Sequence, residues 1–455
     1  MEEKILAGPS SMPKKSKTRP RATRKQPHLR VKEEETRGLA RILKLEGSLQ
    51  FLQRPGAWLW VLVSAGILVR AFLVIFTEGT YDVSIWKSHA QGVLDHGLVG
   101  QYRVSEALNH PPLACWVAAG LLLLSQWTGV SFGIVLRAPL ALADVGTAFL
   151  LGYVLRTTRY RWAAVGLYAV HPLAIILSAY HGNTDSLIAF FILLSVALIS
   201  EERPVMAAVA LGVSLWIKLP GLLVAPALAL GFKQWRDRFA FGATASLIGV
   251  ITYIPLLLSD PGILYTRVLS YGGWIIQTTA GIRVWGLQNF LYLLQELPRN
   301  WQLPVGSAVI WVFNHNRLAV LLPLTAFAWM RRGEQSAAGL GTTVAASYAI
   351  VYAFSNSWSF QYFAWAIPFW FLTGPIFLAG ATLLAGGFIY ALYAFDCGSP
   401  LLLGAWDFVG HPHWPRYLLL LRDTTVVFFF VASVVFLVRA AAREIANARS
   451  SPQRG

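Results

Sequence analysis

What constrains this chain most is a near-continuous succession of apolar runs between residues 57 and 440, each about fifteen to twenty residues long and parted by short polar pieces. Such a run crosses the hydrocarbon of a bilayer as a helix. Lipid offers the backbone no water to bond, so each N–H and C=O must pair within the segment. Composition agrees: 56% of the 455 residues are hydrophobic and 13% charged, where a soluble domain carries about a quarter charged. The expected fold is an all-α polytopic membrane protein of about twelve transmembrane or re-entrant helices, with juxtamembrane helices on the outer face. Cys115 and Cys397, the two cysteines, supply neither a disulfide framework nor a zinc site.

Charge sets the direction of the helices. Residues 1–54 hold fourteen Lys/Arg against six Glu, and residues 439–455 four Arg against one Glu, so the ends carry most of the net +16. The positive-inside rule puts both ends in the cytoplasm. Residues 1–40 read as disordered and 37–52 as an interfacial helix, with no signal-peptide layout before the first apolar run at Ala57. The organisation expected is a basic tail (1–54), a membrane module (55–375), C-terminal transmembrane helices (376–440) and a second tail (441–455). Spans are expected at 57–76, 135–155, 162–180, 185–200, 239–258, 317–331, 337–354, 361–374, 375–394 and 423–440, with 113–124 lying along the outer surface. Residues 205–217 and 219–232 are too short for ordinary spans and read as a hairpin of short helices broken at Lys218-Leu219-Pro220-Gly221.

With that topology the chemistry-bearing polar pieces fall on one side: Asp82, Asn109-His110-Pro111-Pro112, His181-Gly182-Asn183-Thr184-Asp185 and the piece from Asn356 to Tyr362. Ionisable groups this close to hydrocarbon are costly, so their gathering points to a water-accessible cavity with a function. Lys218 is an isolated cation at a proline break in an apolar hairpin, and a buried ammonium needs an anionic partner. Asp144 and Arg137 share one helix face and are expected to make an internal polar contact with another helix. The bland alternatives are helix capping by Asp82 and Asp185 and snorkelling by Lys218.

Five pieces stand in a telling order: Tyr81-Asp82-Val83-Ser84, then Asn109-His110-Pro111-Pro112-Leu113, then His171-Pro172-Leu173 with the His181–Ser186 turn, then Trp216-Ile217-Lys218-Leu219-Pro220, and Gln361-Tyr362-Phe363-Ala364-Trp365. Over residues 57–375 this order resembles the GT-C superfamily of glycosyltransferases that use polyprenyl-phosphate sugars. The last three pieces are similar to the catalytic subunit of GPI mannosyltransferase I. Ser84 stands where that enzyme has the second acid of an Asp-x-Asp pair, so the single Asp82 is more like the glucosyltransferases that extend lipid-linked oligosaccharides; no metal cofactor is expected, the alternative being a divalent metal shared by Asp82 and Asp185.

The resemblance implies an inverting transfer of a hexose, mannose or glucose, from a polyprenyl-phosphate sugar to a glycolipid, glycan or protein at the outer face. The membrane implied is the bacterial inner membrane, or the endoplasmic reticulum in a eukaryote. Asp82 is then the general base. His110, His181, Asp185, Gln361 and Tyr362 would bind substrate, and Lys218 and Arg283 would meet the donor phosphate. Nucleic acid is not an expected partner, for want of a folded basic domain. The competing reading is a transporter or lipid-linked-sugar flippase, which would more often show paired repeats and midplane acids.

Overall fold

The computed structural model describes residues 54–269, 285, 298–355, 359–411 and 413–450, all within the compact unit Leu52–Gly455. The tail and interfacial helix expected over 1–52 lie outside these residues. The described chain is helical, with no strand among its residues, so the all-α polytopic fold holds. Among the described residues five helices are long and apolar enough to cross a membrane, or six if one bent pair counts as a single span, and five shorter apolar helices accompany them.

Helix α1 (Ala57–Phe76) leads to α2 (Tyr81–Val104), which bends at Gly97, where φ is 70°. The stretch 77–109 is polar and falls in none of the expected spans. It is helical because Trp86, His89, Ala90 and Val93 form one buried face among polar residues, a pattern that a search for long apolar runs passes over. α3 (Pro112–Thr128) starts on a proline, whose missing N–H costs nothing in a first turn, and α4 (Phe132–Val154) follows.

The expected straight span 162–180 is broken. α5 (Arg161–Ala169) and the segment Pro172–Tyr180 meet at 50°, because Pro172 cannot continue the hydrogen-bond ladder. That segment begins as α6 (Pro172–Ile175) and widens into a π-helical turn, Ile176–Tyr180. α7 (Asp185–Ser200) then runs back. The two short helices expected are present as α8 (Pro204–Ile217) and α9 (Gly221–Gly231), parted at Lys218, but they make few contacts with each other and form no packed hairpin; α8 packs instead on α7 and on α10 (Trp235–Ile251).

Beyond the undescribed segment come α11 (Arg299–Asn314), α12 (Asn316–Met330) and α13 (Ala337–Phe354), the last buried along almost all its length. The span expected at 361–374 is not formed. A 3₁₀ turn (Phe360–Trp365) and one turn of helix (Ile367–Trp370) replace it, with Phe363, Trp365, Phe369 and Trp370 buried in the core. Apolarity alone could not separate these two outcomes, since aromatics buried in protein read like aromatics facing lipid. α14 (Pro375–Asp396) and α15 (Arg416–Ser450) close the fold; Phe429 of α15 packs on Tyr352, Phe363 and Trp370.

Two buried arginines hold the first half together. Arg70 bonds Asp144 through Nε (3.0 Å) and Nη2 (2.6 Å), and Asp144 also accepts from Tyr168 (2.7 Å) and Ser178 (3.0 Å). The expected internal contact of Asp144 is thus made, to a helix partner in α1. Arg137 donates to the carbonyls of Val74 (3.0 Å) and Thr77 (2.5 Å) and to that of Ala179 (3.3 Å). A cation on those carbonyls meets the bonding need of a helix C-terminus. It also ties the end of α1 to the end of the π-helical turn, and the candidate site begins just beyond both.

Candidate active site

Asp82 owes its freedom to its neighbour. Thr80 is the N-cap of α2, its hydroxyl oxygen accepting from the Asp82 N–H at 3.3 Å, so the capping role that Asp82 might have filled is taken. The Thr80 hydroxyl donates to the His181 carbonyl at 2.7 Å, joining the α2 start to the turn after Tyr180. In that turn the His181 N–H bonds the Ile176 carbonyl at 2.9 Å, five residues back. A π-helical turn of this kind redirects the side chain at its end. Gly182 follows with φ of 81°, and a Cβ there would collide with Val83. Only glycine lets this turn approach α2 so closely.

His181 Nε2 lies 3.1 Å, and Asn183 Nδ2 2.5 Å, from the same oxygen of Asp82, Oδ2. The Asn183 amide is oriented in turn by the Thr184 N–H, which donates to its Oδ1 at 2.7 Å. Among the described residues nothing bonds Oδ1 of Asp82, whose side chain is 26% exposed while that of His181 is 1% exposed. Burial alone would push the Asp82 carboxyl up; His181, Asn183 and Lys218 outweigh it and bring the pKa from 3.8 down to about 2. The group is a fixed carboxylate with one oxygen held and one presented.

Lys218, at the break between α8 and α9, reaches Asp185 across 3.1 Å and 3.2 Å. The anionic partner that sequence alone could not supply is therefore Asp185. Trp365 Nε1 donates to Oδ1 of Asp185 at 2.5 Å, and Lys218 Nζ sits 5.2 Å from the centre of the Tyr362 ring, itself stacked on Trp365. Asp185 is the first residue of α7 and makes no side-chain cap, so the capping alternative does not apply. Its two oxygens face Lys218 and Trp365.

His110 stacks on Trp86 with ring centres 4.3 Å apart. Burial first, then Lys218 and His89, push its pKa well below 6.5, against a weaker opposing pull from Asp82. It is a neutral ring within the electrostatic reach of both acidic and basic groups of the site. Gln361 is buried and bonded to the Ser359 hydroxyl. Arg283, expected at the donor phosphate, lies outside the described residues. His171 caps α6 and bonds Thr382 at 2.9 Å, away from this cluster. Among the described residues no group of three His, Cys, Asp or Glu side chains is placed to hold a metal ion.

Asp82, His110, His181, Asp185, Lys218 and Tyr362, all expected from the sequence, come into one neighbourhood in the fold. Thr80, Trp365 and Tyr393 join them without having been expected there. Trp365 stood in a quoted piece; Tyr393 lies in an apolar run with no local signal. Its hydroxyl is 2.6 Å from His181 Nδ1.

The family model of glycosyltransferase family 87 matches residues 109–355. That range includes His110, His181, Asn183, Asp185 and Lys218; Asp82 lies before it and Tyr362, Trp365 and Tyr393 after it. No curated protein matches the chain.

Proposed function

The chain belongs to glycosyltransferase family 87, a GT-C type family of membrane glycosyltransferases, and from that premise we propose that it moves a hexose, mannose or glucose, from a polyprenyl-phosphate sugar to an acceptor hydroxyl at the outer membrane face. The observation that carries this reading is the Asp82 carboxylate, with Oδ2 clamped by His181 and Asn183 and Oδ1 open. In the step proposed, the acceptor oxygen bonds the anomeric carbon from the face opposite the leaving group. Its proton passes to Asp82 Oδ1, and the bond from the anomeric carbon to the phosphate oxygen breaks with its electron pair going to phosphate. The product is inverted. A carboxylate with a pKa of about 2 is a weak base towards a resting hydroxyl. It suits a late proton transfer, when the oxygen has begun to bond carbon and has become acidic. The same negative charge steadies the oxocarbenium character of the sugar in the transition state.

The leaving phosphate needs positive charge nearby. Lys218 has three N–H donors; with two contacts made to Asp185, a third remains for a phosphate oxygen. Asp185 acts through Lys218 by holding it, and Tyr362 lines the same side. Arg283 is a second phosphate contact in this scheme. His110, neutral and stacked on Trp86, is a partner for sugar hydroxyls, as is Gln361. No step calls for a metal.

The test is incubation of the purified protein with labelled polyprenyl-phosphate mannose and, separately, glucose, followed by product analysis. Transfer of label from lipid to a hydroxyl acceptor is expected with one of them and is lost in Asp82→Asn. Release of no sugar from either donor, with intact lipid-linked sugar crossing vesicles that contain the protein, would replace the transferase by the flippase.

A further inference from the structure

Helix α14 contributes to the site from far along the chain, and we propose that Tyr393 is a positioning residue that sets the proton on the His181 ring and thereby leaves Oδ1 as the one basic oxygen of Asp82. The inference rests on Asp82 being the base. His181 is enclosed, at 1% side-chain exposure, and its ring is used at both nitrogens: Nε2 faces Asp82 Oδ2 at 3.1 Å and Nδ1 faces the Tyr393 hydroxyl at 2.6 Å. Thr80 is the other hydroxyl near Nδ1, at 3.5 Å, but its proton is committed to the His181 carbonyl at 2.7 Å. A neutral imidazole has one N–H and one lone pair, and the partner of one nitrogen decides which is which. A tyrosine hydroxyl donating to Nδ1 puts the ring proton on Nε2, where it donates to the carboxylate. The opposite tautomer would set a lone pair against the Asp82 oxygen.

The consequence is specific to one atom. With Nε2–H and the Asn183 amide both on Oδ2, that oxygen is a poor proton acceptor, and a proton from the acceptor hydroxyl goes to Oδ1. Tyr393 is itself fixed: it is fully buried, and its ring packs against those of Tyr180, Phe360 and Trp406. Removing its hydroxyl frees the ring of His181 to exchange tautomers without opening the packing.

A double-variant cycle tests this. Tyr393→Phe keeps the ring and removes the hydroxyl; Tyr393→Met is a second hydroxyl-free side chain in case the first packs badly. His181→Gln places an amide N–H where Nε2–H stood and has no tautomer to choose. All are compared as monodisperse protein in detergent. Tyr393→Phe is expected to lower kcat about tenfold with donor KM within twofold, and to change kcat by less than twofold in the His181→Gln background, because partners acting through one group are not additive. Wild-type kcat in both Tyr393 variants, or an equal fall in the two backgrounds, would overturn the inference. Full activity of Asp82→Asn would instead remove the base itself, so the two failures are distinguishable.

Discussion

Breaking the Lys218–Asp185 pair separates what holds the fold from what handles substrate. Asp185 is buried and Lys218 partly so, with side-chain exposures of 2% and 17%, and their charges lie 3.1 Å apart. At an effective dielectric of about 20 two unit charges at that distance attract by ~5 kcal/mol. Removing one member of a buried pair leaves the other uncompensated, at about 3–5 kcal/mol. Lys218→Met and Asp185→Leu are each expected to destabilise by that amount. In the double variant no charge is stranded. What remains is the Trp365 N–H, which loses its acceptor at Asp185, a cost of about 1–3 kcal/mol. The double variant is therefore more stable than either single one. Unfolding in SDS-containing mixed micelles, followed by tryptophan fluorescence, measures all four proteins, and the cycle should return a coupling of several kcal/mol. Single losses that simply add in the double variant would refute the ion-pair reasoning. Activity is the second readout: if the remaining Lys218 N–H meets phosphate, the re-stabilised double variant stays impaired in donor use, whereas recovery of donor KM would take Lys218 out of the site.

Asp82→Asn keeps shape and hydrogen bonding but accepts no proton, so kcat should fall by about two to four powers of ten; donor binding measured by isothermal titration should survive. The Asp82 pKa, lowered from 3.8 to about 2, contributes stability present above the unfolded value and lost as pH falls from about 4 through 2, worth about 2 kcal/mol. A melting-temperature profile over that window should slope less in Asp82→Asn. Turnover should show no acid limb from this group above about pH 3, a limit set by that same pKa. Gly182→Ala forces a side chain into positive φ and against Val83; a loss of about 1–3 kcal/mol is expected, together with a fall in kcat because the turn carries His181 and Asn183. An alanine variant with wild-type melting and turnover would show that the turn relaxes freely.

Sequence by itself determined the class of this protein, and the reason is local. The length of an apolar run and the need to satisfy backbone groups inside lipid are properties of twenty or so neighbouring residues, so α1, α4, α13 and the two short helices α8 and α9 were legible at once. So were the residues that the candidate site gathers, since Asp82, His181, Asp185 and Lys218 are ionisable groups close to apolar runs. Local pattern could not tell the 3₁₀ turn at Phe360–Trp365 from a span, or find α2 among its polar residues. Pairing was beyond it altogether. Asp82 meets His181 across 99 positions, Lys218 meets Asp185 across 33, and Tyr393 meets His181 across 212. A lysine that looked unpartnered and a tyrosine that looked like filler found their partners only when α8 packed on α7 and α14 packed on α6, next to the turn that carries His181. Hydrogen bonds and ion pairs act over a few ångströms, and which groups come within that range is decided by helix packing rather than by position in the chain.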